Sequence, residues 1–99
     1  MSFARHSVSS SGEKSATSQI TVLGGHLHGF ELNPPISGLA TLKIYDSNAA
    51  GTTRLISTAT TAAGLPSIYV EFPYPRAANS GIYAVLSGTT TYTLGFSLG

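Results

Sequence analysis

Between Gln19 and Leu98 the apolar residues alternate with polar ones and nowhere recur at a helical spacing. A period of two belongs to the half-buried β-strand, because successive side chains point to opposite faces. The closing stretch shows it most plainly. Tyr92, Leu94, Phe96 and Leu98 alternate with Thr91, Thr93, Gly95 and Ser97. Residues 42–56 read as strand, polar loop, strand. Leu42 and Ile44 alternate with Lys43 and Tyr45, Asp46-Ser47-Asn48 breaks the pattern, and Leu55-Ile56 restarts an apolar run. Asp and Asn hydrogen-bond backbone two residues on, and Gly51 offers any positive φ the turn needs.

The same pattern places four further strands. Residues 19–23 form one, with Ile20 and Val22 on a common face, and Gly24-Gly25 then signals a hairpin. The expected return strand, 26–33, is ambiguous in phase: Phe30 and Leu32 share a face with His26 and His28, while Leu27 lies opposite. Gly29 marks a candidate bulge that shifts the register. Pro34-Pro35 stops this strand, since proline cannot donate to a ladder. Strands 40–46 and 54–59 follow, then 67–72, where Ile68, Val70 and Phe72 alternate with Tyr69 and Glu71. Pro73 and Pro75 confine Tyr74 to an extended edge or corner. Residues 81–87 are apolar on both faces, as in a central strand. Seven short strands at this spacing predict an all-β fold: a single small antiparallel β-sandwich, either jelly-roll or immunoglobulin-like.

Residues 1–17 differ. They carry six serines with Arg5, His6, Gly12, Glu13 and Lys14, the composition of an extended arm. The expected organisation is therefore an arm over 1–17 and a sandwich over 18–99. Such an arm orders only where something holds it. Phe3 and Val8 are its sizeable apolar anchors apart from Met1, so it is expected to lie against the domain or a neighbouring subunit. Removing residues 1–15 is expected to leave the sandwich folded but to weaken assembly.

Only 9% of the residues are charged, against roughly 25% in an average protein. Serine, threonine and glycine supply 37 of the 99 residues instead. A surface with so little charge repels its neighbours weakly, which favours a subunit of a larger body. Five scattered Lys and Arg argue against nucleic-acid binding, which needs clustered cations to displace phosphate counterions. No run approaches the roughly 18 apolar residues of a membrane-spanning helix, and the first residues are polar. The expectation is a protein made and assembled in a cytoplasm, without a membrane. Cysteine is absent, which removes disulfides and thiolate chemistry.

Four pieces, taken in order, resemble a known class. They are Gly25-His26-Leu27-His28-Gly29-Phe30, residues 40–51 around Ile44-Tyr45-Asp46, Gly81-Ile82-Tyr83-Ala84-Val85-Leu86-Ser87-Gly88, and the alternating strand 92–96. Their order and spacing resemble small virion proteins of tailed bacteriophages, and the resemblance spans residues 19–98. It implies a β-sandwich subunit that decorates or cements the capsid, as a homotrimer seated where major capsid subunits meet. It implies a virion location after assembly in the host cytoplasm; on the residues themselves, no cofactor and no enzymatic activity are expected. The same class also supplies neck and tail ring subunits. Weak contacts repeated across a shell add up to a lasting hold.

Candidate site residues fall into three groups. His26-x-His28 supplies two metal ligands on one strand face; a third would come from His6, Glu31 or Asp46. Hydrogen-bonding or interface histidines are the alternative. Asp46 with Ser47 and Asn48 lacks the further acids of a calcium loop and reads as a turn. Tyr69, Tyr74 and Tyr83, with Phe72, form a candidate aromatic platform for sugar, and tyrosine equally suits a protein interface. Serines, histidines and acids are all present, but no Gly-x-Ser-x-Gly elbow occurs, so no catalytic residues are assigned. The interface candidates are Phe3, Arg5, Val8, Tyr69, Tyr74 and Arg76. Arg54, Glu71 and Arg76 read as isolated, solvated charges or as partners across a subunit joint.

Overall fold

A computed structural model describes residues 8–98. The chain is all-β. Its strands are β1 (Ser9–Ser10), β2 (Ser18–Thr21), β3 (Gly25–Leu32), β4 (Leu39–Asp46), β5 (Leu55–Ala62), β6 (Ile68–Ala78), β7 (Ile82–Ser87) and β8 (Tyr92–Leu98). They form two antiparallel four-stranded sheets, ordered β1-β8-β3-β6 and β2-β7-β4-β5. That order is the eight-stranded jelly roll, two interleaved Greek keys. It decides between the two sandwich topologies the sequence left open.

Gly24-Gly25 is not a hairpin turn. β2 pairs with β7, whereas β3 pairs with β6 and β8, so the chain crosses from one sheet to the other at these glycines. The glycines serve close approach. A Cβ on Gly24 would lie 2.5 Å from the main-chain oxygen of Asn79, and one on Gly25 would collide with that of Ser97. Neither has a positive φ. The sandwich can close at this corner only where no side chain separates the backbones.

The phase ambiguity of β3 is resolved by a bulge. The register of β3 shifts between Leu27 and Gly29 against both neighbours. His28 is the extra residue opposite β8, where Phe96 and Gly95 are consecutive partners of Leu27 and Gly29. Leu27, Phe30 and Leu32 consequently all reach the core. On the β6 side, residues 72–75 bow out against the same point. Two prolines in this stretch suit an edge strand, which β6 is.

The core joins Leu27, Phe30 and Leu32 of β3 to Leu42 and Ile44 of β4, Ile82 and Ala84 of β7, Tyr92 and Leu94 of β8, and Ala78 of β6. Each buried Leu, Ile or Phe contributes about 1.5–3 kcal/mol relative to exposure. β7 is central in its sheet, as its two apolar faces predict, and β4 is central beside it; β5, expected as a central strand with β4, is instead an edge.

The serine-rich stretch supplies β1. Ser9 and Ser10 pair with Phe96 and Gly95. Ser11 N donates to Leu94 O (2.9 Å), and Lys14 and Tyr92 exchange main-chain bonds at 2.8 Å in both directions. From Val8 to Thr17 the stretch thus lies on its own domain. Cutting away residues 1–15 removes a strand of the jelly roll and is not a neutral trim.

Candidate functional site

Loops meet at the two ends of the sandwich, and each sheet presents one outer face. The outer face of the β1-β8-β3-β6 sheet carries His26, His28, Glu31, Tyr69, Glu71, Thr93 and Ser97. Ser97 is the cross-strand partner of His26, and its Oγ lies 2.9 Å from Nε2 of His28. The two imidazoles therefore do share a face, and a serine hydroxyl holds one of them. Among the described residues no group of three His, Cys, Asp or Glu is placed to hold a metal ion. Asp46 belongs to the other sheet, and Glu31 lies beyond the bulge on β3. His6 lies outside the described residues, as do Phe3 and Arg5.

Asp46 acts between turns. Its Oδ1 accepts from Ser80 N at 2.8 Å, joining the β4–β5 turn to the β6–β7 turn. Burial alone pushes the carboxyl up, but the backbone N–H groups of Ser80, Asn79 and Gly81, with the Arg54 charge, together bring it below the usual 3.8. Ser47 makes the turn that Asp46 does not: its Oγ accepts from Ala49 N (3.2 Å) and Gly51 N (2.8 Å). The positive φ of this loop falls on Ala50 (59°), not on Gly51. Gln19 fastens the loop to the sheet. Its Nε2 lies within reach of the carbonyls of Ser47 (2.7 Å), Thr21 (2.9 Å) and Ile82 (3.0 Å), and its Oε1 accepts from Ala50 N. No sequence pattern marks a lone glutamine for this.

The aromatic platform does not assemble. Tyr83 lies on β7 in one sheet, and Tyr69, Phe72 and Tyr74 lie on β6 in the other. Phe72 turns inward, packs against the core and meets Phe30 with ring centroids 6.3 Å apart. Tyr69 and Tyr74 remain exposed on β6, Tyr74 by 86%. Tyr83 instead stands beside Tyr45 on the outer face of the second sheet, in a cross-strand row with Gln19 and Leu55. Val8 is half-buried. Arg76 is engaged within the chain, with its guanidinium 4.4 Å from the Phe72 ring centroid and a hydrogen bond to Ile56 O.

A shallow recess of about 230 Å³ lies between Gly24-Gly25-His26 and Ala77-Ala78-Asn79. It is smaller than the ~300–1,000 Å³ of ordinary ligand pockets. Large apolar side chains are, by contrast, prominent on the surface. Val22, Leu23 and Leu98 project around one end of the sandwich, and Ile36, Leu39 and Leu65 at the other, Ile36 being 98% exposed. No helix of the described residues is long and apolar enough to cross a membrane. Protein-family models, curated proteins and solved structures contain no match to the chain.

Proposed function

We propose that this protein is a structural subunit of a bacteriophage virion, a decoration or cement protein that binds the capsid at subunit junctions as a trimer. One observation carries the proposal: a nearly uncharged small domain displays leucine, isoleucine and tyrosine side chains at both ends and along its edges. Apolar side chains grouped at the ends of a weakly charged domain suit burial against other protein. The jelly roll supports the same function, being a recurrent architecture of viral capsid domains. Lectins share it, so the architecture alone does not separate coat from sugar binding. The divided aromatics weaken the sugar-binding alternative, since Tyr83 stands on the other sheet and Phe72 turns inward, leaving Tyr69 and Tyr74 on β6.

Imaging of particles made with and without the chain tests the proposal. Density at capsid junctions that disappears with the protein supports it, and an unchanged shell overturns it. Copy number separates the nearest alternative: hundreds per particle mean decoration, and six or twelve mean a neck or tail ring of the same fold. Glycan binding lost on Tyr74→Ala would favour an attachment module.

A further inference from the structure

We infer that β5 is a self-association edge, and that two copies of this chain pair through it as antiparallel strands. The observation is a contrast among the four sheet edges. An open edge offers unpaired N–H and C=O groups to any passing strand, so folded proteins usually blunt it with proline, charge, bulges or brevity. β1 has two residues. β2 has four, with a register shift between Gln19 and Thr21. β6 carries Pro73 and Pro75 and bows out over residues 72–75. β5 has none of these devices over most of its length. Its sequence, Leu-Ile-Ser-Thr-Ala-Thr-Thr-Ala, holds no proline and no charge. From Ser57 to Ala62 it runs in unbroken register with Ile44 to Leu39. Among the described residues, its only side-chain hydrogen bond to a main-chain atom is that of Arg76 to Ile56 O, at the far end.

A second copy fits this edge better than an unrelated strand for two reasons. Residues 55–67 carry no charge, so self-pairing sets no like charges opposite each other. The exposed leucines also sit at the two ends of the strand. Leu55 begins β5, and Leu65 stands in the turn after its last residue, its N–H bonded to Ala62 O, while the exposed Leu39 is the cross-strand partner of Ala62. An antiparallel twofold pairing centred on Ala59 carries Leu55 of each copy to the Leu65 end of the other, covering apolar surface at both ends. It sets Thr58 opposite the partner's Thr60 and makes one eight-stranded sheet. Twofold contacts of this kind are the commonest in homo-oligomers. The inference rests on the edge, not on the virion proposal; in a trimeric coat this contact would link one trimer to the next.

The test uses the full chain in solution. Mass by light scattering over a concentration series is expected to rise toward an even-numbered species, with amide-exchange protection of residues 57–62 rising alongside. Thr58→Lys with Thr60→Lys places like charges opposite each other and is expected to weaken the association by about tenfold, with an unchanged circular dichroism spectrum. Because the chain has no cysteine, a mixture of Thr58→Cys and Thr60→Cys proteins gives a second measure: the mixture is expected to cross-link faster than either alone. A monomer at every concentration overturns the inference. So does an oligomer whose mass survives the double lysine variant, or a mixture that cross-links no faster. A trimer that survives that variant would overturn the β5 edge while leaving the virion proposal standing.

Discussion

Arg76 donates from Nη1 to the main-chain oxygen of Ile56 at 2.9 Å, tying the edge of one sheet to the edge of the other. The same guanidinium lies over the Phe72 ring at 4.4 Å. On this side of the sandwich β5 and β6 are edge strands of different sheets, so no ladder joins them. A planar, always-charged fork that stacks and donates at once suits the task, and an ammonium does not. Arg76→Ala is expected to cost about 1 kcal/mol by urea unfolding, and Arg76→Lys to recover only part of it. Equal stability of all three proteins would show that the bond across the edge is solvated away.

Asp46 couples stability to acid. A carboxyl held below the ordinary 3.8 favours the folded state while it is ionised. Its contribution is complete above pH 3.8 and disappears as the pH falls through the lower folded value. Asp46→Asn is therefore expected to be less stable than the parent at pH 7, with the difference shrinking toward pH 3. Unfolding midpoints measured across that range check it. A difference constant with pH would assign the loss to geometry, not to charge.

Strand existence and spacing were legible because half-buried strands write their faces into alternate residues. The bulge at Gly29 was legible for the same reason: the alternation of Leu27 and Phe30 cannot be satisfied without an extra residue. Pairing was not legible. Gly24-Gly25 is a hairpin signal by local chemistry, but its glycines answer contacts with Asn79 and Ser97, more than fifty residues away in the chain. The platform failed likewise, since Tyr83 and Tyr69 have similar local patterns and only the strand order puts them in different sheets. β1 was hidden because Ser9 and Ser10 contribute backbone and no apolar side chain. Arg76 and Gln19 act on carbonyls, and a carbonyl leaves no mark in a sequence.

Tyr92 secures the serine-rich stretch. Its side chain is fully buried, and its Oη donates to Ala16 O at 2.7 Å. Tyr92→Phe keeps the ring but removes this bond, leaving Ala16 O with the Ser18 hydroxyl alone at 3.0 Å, so a loss of about 1 kcal/mol is expected, with faster amide exchange in residues 11–17. Burial also pushes the phenol above its usual 10.0, against an opposing hydrogen bond from Ser18. The folded state then holds its proton where the unfolded chain has lost it. The parent is expected to lose stability as the pH rises past 10.0, and Tyr92→Phe to lose less over the same range. Parallel alkaline profiles for the two proteins would remove Tyr92 from that role.

The two kinds of glycine in this chain predict different costs for the same substitution. Gly12 has a φ of 71° and open space where a Cβ would stand, so Gly12→Ala meets only backbone strain, about 1 kcal/mol. Gly25 has no positive φ, but its Cβ would be driven into the Ser97 carbonyl, which the β3–β8 ladder holds in place. Gly25→Ala is expected to cost about 3 kcal/mol or more, because backbone on both strands must part. A turn glycine also tolerates asparagine, which visits positive φ, so Gly25→Asn separates turn from close approach. If Gly25→Asn proves milder than Gly25→Ala in urea unfolding, conformational freedom is what the position requires. If both are equally severe and Gly12→Ala is mild, the glycine is there to let two sheets meet at the corner where the chain crosses.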